Sequence, residues 1–141
     1  MMIVAAALLG VVTGTAHPGT AVELVVSDAR FRALLPGQRN TVAYCVIENR
    51  GPTAVTLVGA LSTSARAMEI HESRLDGNMY RMRRRAEVEI PARDTVRFEP
   101  GGLHLMLFDV KADGEQVEIE LLTSDGRRVT AAFHPFAAGA E

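Results

Sequence analysis

The sequence predicts an all-β domain, a sandwich or barrel of short strands, from three observations. Turn-forming residues recur at short intervals, at Pro36-Gly37, Asn49-Arg50-Gly51-Pro52, Asp76-Gly77-Asn78, Pro91-Ala92-Arg93-Asp94, Pro100-Gly101-Gly102, Asp113-Gly114 and Asp125-Gly126, and leave little room for helices. Between the turns apolar and polar residues alternate, the period of a strand with one face in a core and the other in water. With 141 residues, 48% hydrophobic and 23% charged, the chain has the size and composition of one folded domain.

Taken in order, residues 1–16 (MMIVAAALLGVVTGTA) are uncharged, small and apolar and end near Gly14 and Ala16, as expected of a signal peptide or N-terminal anchor segment. No Lys or Arg precedes Arg30, so the usual basic start is either missing or upstream of Met1. The stretch is shorter than the roughly 20 residues of a membrane span, and no later segment approaches that length. The β-domain is expected over 20–135 and a flexible tail over 136–141. Within the domain, Tyr44-Cys45-Val46-Ile47-Glu48-Asn49 is an apolar strand run in which Cys45 reads as an inert buried residue. Three further strands alternate strictly: Val88 and Ile90 against Glu87 and Glu89, Val117, Ile119 and Leu121 against Glu118 and Glu120, and Val129, Ala131 and Phe133 against Arg128 and Thr130.

Fifteen Lys and Arg against seventeen Asp and Glu give a net charge of -2, which supplies no field for nucleic acid or an anionic membrane. A single cysteine excludes an internal disulfide framework and zinc sites of several thiolates. No Ser-His-Asp constellation or glycine-rich phosphate loop is present, so no catalysis is expected.

Histidine and methionine carry the functional signal. Of four His and six Met, His71, His104, Met68, Met79, Met82 and Met106 fall between 68 and 106. Asp76-Gly77 is a strong hairpin signal, and with those two as the loop Leu75 opposes Asn78, Glu72 opposes Arg81, Glu69 opposes Arg84 and His71 opposes Met82. Opposed side chains have Cβ atoms about 4.5–5.5 Å apart, close enough to share a metal ion. In Leu103-His104-Leu105-Met106-Leu107-Phe108 the leucines take the core, and alternation places His104 and Met106 together on the other face. Two imidazoles and two thioethers, with no thiolate or carboxylate, form a soft neutral set that selects Cu(I) over Zn²⁺, Mg²⁺ or Ca²⁺.

The spacing His71, ten residues, Met82, twenty-one residues, His104, one residue, Met106 resembles the His-x10-Met-x21-His-x-Met motif of the PCu(A)C periplasmic copper chaperones. The surroundings are similar too, in Tyr44 to Asn49, Met68-Glu69-Ile70-His71-Glu72, Ile90-Pro91 and Pro100 to Leu107, and the likeness runs from about residue 22 to 134. The resemblance implies a cupredoxin-like Greek-key β-sandwich, exported or periplasmic, that binds one Cu(I) through His71, Met82, His104 and Met106. It implies a monomer that delivers copper to the copper centre of a cytochrome oxidase subunit, with a thioredoxin-fold assembly factor as a further partner. The sequence shows no His/Met-rich C-terminal stretch, so a second copper site is not expected.

Two rival readings stand beside this one. An electron-transfer cupredoxin needs a thiolate ligand, and Cys45 precedes every candidate ligand. A metal-free β-sandwich would bind a protein through the run Arg81-Met82-Arg83-Arg84-Arg85; the expected pairs with Glu69 and Glu72 account for half of those arginines, and the rest suit an acidic docking partner. The hairpin count sends Met68 and Met79 to the core face, and His17 and His134 read as solvent histidines.

Overall fold

The structure is a computed structural model that describes residues 23–112 and 115–139. The expected signal or anchor segment at 1–16 and His17 lie outside the described residues. All regular structure among the described residues is β: β1 (Leu24–Arg32), β2 (Thr41–Asn49), β3 (Val55–Leu61), β4 (Ala65–Asp76), β5 (Met79–Arg85), β6 (Val88–Ile90), β7 (Thr95–Phe98), β8 (Leu103–Val110), β9 (Val117–Thr123) and β10 (Arg128–Phe136). No helix among them is long and apolar enough to cross a membrane.

The strands neighbour one another in the order β5-β4-β8-β7-β2-β1-β10-β9-β3-β6, with β8 also pairing β2. Strand β10 turns this ribbon into two layers. Its first part pairs antiparallel with β9, from Arg128 opposite Leu122 to Phe133 opposite Val117, and its last residues pair parallel with β1, Arg30 opposite His134 and Arg32 opposite Phe136. One hydrophobic cluster fills the space between the layers, with Phe31, Ala43, Cys45, Ile47, Ile70, Phe98, Leu105 and Leu107 from one side and Leu57, Ile90, Val117, Ile119, Leu121 and Phe133 from the other. The expected alternation is present: Val88, Ile90, Val117, Ile119, Leu121 and Phe133 are buried, and the charged residues between them point away.

Two local features refine the sequence reading. The turn at Asn49 is built by a buried amide whose Nδ2 donates to the carbonyls of Thr53 (2.8 Å) and Ile90 (3.0 Å), while Oδ1 accepts from the Gly51 N–H at 3.0 Å. This buried polar side chain is therefore satisfied. At the C-terminal end, the carbonyl of Phe136 accepts from the Ala33 N–H at 2.8 Å, and its ring lies 6.0 Å from that of Tyr44. Phe136 thus belongs to β10 and not to the tail that begins after Pro135.

The core lies on the opposite side of the sheet from the outward-facing histidines, so folding is expected not to wait for a metal. Chelator-treated protein is expected to unfold in one cooperative transition. Ile119→Ala, at a fully buried position in β9, is expected to lower stability by about 2–5 kcal/mol. Urea unfolding followed by circular dichroism checks both.

Candidate metal centre

The site begins with core packing in β8. Leu105 and Leu107 are fully buried, and a strand that sends these residues inward must send His104, Met106 and Phe108 to the opposite face. Ile70, only 2% exposed, does the same in β4 and turns Glu69, His71 and Ser73 outward. The antiparallel register between the two strands places His71 opposite His104, Glu69 opposite Met106 and Ala67 opposite Phe108. The two imidazoles are consequently neighbours, with ring centroids 5.7 Å apart, and Phe108 stands 6.4 Å from His71.

The hairpin of β4 and β5 has a different register from the one the Asp-Gly pair suggests. Its two loop residues are Gly77 and Asn78, so that Asp76 opposes Met79, Leu75 opposes Tyr80, Arg74 opposes Arg81, Ser73 opposes Met82, Glu72 opposes Arg83 and His71 opposes Arg84. Gly77 takes φ +64°, the glycine-first arrangement of a two-residue turn that leaves the next residue at negative φ. A shift of two residues keeps every side chain on its face. His71 and Met82 therefore share the outer face as diagonal neighbours and are not directly opposed. Of the expected pairs, Glu69 keeps a contact with Arg84 (3.9 Å), whereas Glu72 pairs with Arg85 (2.7 Å) and Arg74 (3.3 Å), and Arg81 pairs with Asp76 (3.1 Å).

All four candidate ligands thus lie on one face of three adjacent strands, β5, β4 and β8, but in unlike surroundings. His104 is 4% exposed, Met106 is half-buried and Met82, on the edge strand, is 56% exposed. Alternation alone would leave an outward-facing residue in water, but His104 is covered despite its outward direction. Met68 packs against the core, but Met79 does not: it is 63% exposed, because the hairpin runs past the end of the sandwich. His134 is exposed. Cys45 is buried in the core, and burial pushes its thiol up to about 12, so it offers no thiolate near neutral pH.

The ring nitrogens carry the chemistry. His71 Nε2 lies 2.7 Å from Glu69 Oε2, and His104 Nδ1 lies 3.2 Å from the Gly102 carbonyl oxygen. The other nitrogen of each ring, His71 Nδ1 and His104 Nε2, is buried without a hydrogen-bond partner. A buried polar atom left unpaired costs about 1–3 kcal/mol, so two on facing rings mark a place where a ligand would restore the balance. With the bonded nitrogens as donors, both remaining nitrogens present lone pairs, the state a metal ion requires. Glu69 is a site residue that the sequence reading treated only as a charge partner; its signal was position i−2 to His71 on the same strand face.

The fold places this chain among known proteins. Residues 24–134 match the LpqE-like family. The chain belongs to that family. A relative in Leifsonia xyli subsp. xyli named "Putative lipoprotein Lxx21020" is 33% identical over 135 residues, 87% of this chain and 80% of its own length. Among solved structures, the copper-bound PCuAC domain from PmoF2 superposes with TM-score 0.69 at 22% identity, covering 86% of this chain and 99% of that one. The Cu(I) form of DR1885 from Deinococcus radiodurans superposes with TM-score 0.64 at 31% identity, covering 83% and 79%. The LpqE-like chain therefore has the cupredoxin-like β fold of PCuAC domains, as the sequence resemblance implies.

Burial holds the His104 imidazole below its ordinary pKa of 6.5, against the Gly102 carbonyl, which favours the charged ring; nearby His71 and Arg32 push it further down. The unfolded chain therefore takes up this proton first as pH falls, and the metal-free fold loses stability from about pH 6.5 until the folded ring also protonates. The urea midpoint of metal-free protein is expected to fall as the pH drops below about 6.5, and to fall less steeply in His104→Leu. Equal slopes in the two proteins would show that His104 titrates as freely folded as unfolded.

Proposed function

We propose that this protein is an extracytoplasmic Cu(I) carrier, which holds one ion through His71, Met82, His104 and Met106 and passes it to an acceptor protein without catalysing a reaction of its own. The observation that carries this reading is the pair of buried, unpartnered ring nitrogens on facing histidines, His71 Nδ1 and His104 Nε2, on the sheet face that also bears both methionines. Imidazole and thioether are neutral and soft, a set suited to Cu(I). Glu69, the carboxylate on this face, is already engaged by His71 and Arg84. The likeness to the Cu(I) form of DR1885 and to a copper-bound PCuAC domain supports copper as cargo.

Unequal burial suits a carrier. The histidines sit low, and Met82 on the edge strand is the ligand an incoming acceptor thiolate reaches first; neutral ligands displaced one at a time allow release without unfolding. Residues 69–85 carry Arg74, Arg81, Arg83, Arg84 and Arg85 against Glu69, Glu72 and Asp76, a local excess of two positive charges beside the site that would favour an acidic acceptor. A cytochrome oxidase copper-centre subunit is the acceptor we propose, with a thioredoxin-fold assembly factor as a further partner. The lipoprotein description of the curated relative supports a place outside the cytoplasm; Cys45, buried in β2, is not a lipid attachment point. Its raised pKa also disfavours the electron-transfer reading, which needs a thiolate on the metal.

Titration of purified protein with a Cu(I)-specific competitor tests the site. Wild type is expected to bind one equivalent. Met82→Ala and Met106→Ala should each weaken binding on the order of tenfold or more, and Met68→Ala and Met79→Ala by less than about twofold, because the latter lie on the other sheet face. Equal losses at all four methionines would refute the face assignment, and absence of Cu(I) binding would refute the carrier.

A further inference from the structure

We infer that Glu69 is a positioning residue for the metal site: its carboxylate holds the His71 ring in the Nε2–H tautomer and so makes Nδ1 the atom presented to the ion. The inference rests on the carrier reading above and adds to it the group that selects the ligating nitrogen. Glu69 and His71 are i and i+2 on the outward face of β4, and Oε2 lies 2.7 Å from Nε2, within the range of a charge-assisted hydrogen bond. An ionised carboxylate can only accept, so Nε2 must carry the proton. A neutral imidazole has one N–H, and Nδ1, buried and unpartnered, is left with its lone pair.

The surroundings hold the carboxylate in place. Arg84, opposite His71 on β5, approaches the other oxygen, Oε1, at 3.9 Å, so each carboxylate oxygen faces a nitrogen donor. Glu69 is not itself placed as a ligand, because its oxygen lies at Nε2 and the unpartnered nitrogen is Nδ1. His104 shows the same device in a different material. There the backbone carbonyl of Gly102 sits at Nδ1, at 3.2 Å, and the presented atom is Nε2. The two rings thus offer different nitrogens to one ion, and in His71 alone the choice depends on a replaceable side chain.

The test reads the tautomer directly in metal-free, ¹⁵N-labelled protein at about pH 8, by long-range ¹H–¹⁵N correlation of the His71 ring, in wild type, Glu69→Gln, Glu69→Ala and Arg84→Ala. Wild type, Glu69→Gln and Arg84→Ala are expected to show Nε2–H, since a glutamine carbonyl can still accept, and Glu69→Ala a mixture with Nδ1–H. Cu(I) affinity should fall about 10–100-fold in Glu69→Ala, and by less than about tenfold in Glu69→Gln. A purely structural ion pair would leave the tautomer alone. The inference is overturned if Glu69→Ala keeps a pure Nε2–H ring, or loses no more affinity than Arg84→Ala. Failure of the carrier reading looks different: the tautomer changes as expected but wild type takes up no Cu(I), which overturns the metal-presenting half of the inference.

Discussion

Burial of Leu105 and Leu107 on one side of β8 is the constraint from which the site follows. Both are fully buried, and a strand has only two sides, so sealing the core with these leucines commits His104 and Met106 to the other side without a further interaction to aim them. Ile70 makes the same commitment in β4. The β4–β8 ladder then sets the height of one strand against the other and brings His71 opposite His104. A slip of one residue between them would send one histidine into the hydrophobic cluster, where an imidazole would be expensive to bury. Hydrophobic packing, which is indifferent to copper, thereby does most of the work of bringing the two histidines together on one face.

What packing cannot do is orient the rings, and that is left to hydrogen bonds. Each imidazole is tied at one nitrogen, His71 by Glu69 and His104 by the Gly102 carbonyl, and each keeps its other nitrogen buried and unpartnered. The largest buried side chains, Phe31, Phe98 and Phe133 among them, belong to a cluster that lies on the other side of the sheet. The depressed pKa of His104 has the same origin as its missing partner, since the cover that removes water from Nε2 also disfavours the charged ring.

Period-two alternation and frequent turns made the all-β class legible, because both are local properties that burial on one face enforces. The outward direction of His71, His104, Met82 and Met106 was legible for the same reason. Alternation is silent, however, on how far a strand extends beyond its sheet, and this is why Met79 was expected in the core and stands in solvent at the end of the hairpin. The hairpin register turned on which residue took positive φ first; choosing Asp76-Gly77 over Gly77-Asn78 shifted His71 from Met82 to Arg84, although every face survived. The cover over His104 and the bond from His71 to Glu69 were less legible. One depends on elements distant in sequence, and the other on which of two neighbouring groups, arginine or histidine, a carboxylate prefers.

The central claim is that one ion is bound by two imidazole nitrogens and two thioether sulfurs from three adjacent strands. X-ray absorption at the copper edge of the Cu(I)-loaded protein reads that set directly, because nitrogen and sulfur scatterers differ in distance and amplitude. The account predicts two nitrogens and two sulfurs in wild type and loss of one sulfur in Met82→Ala. A first shell without sulfur, or one unchanged by Met82→Ala, would contradict it.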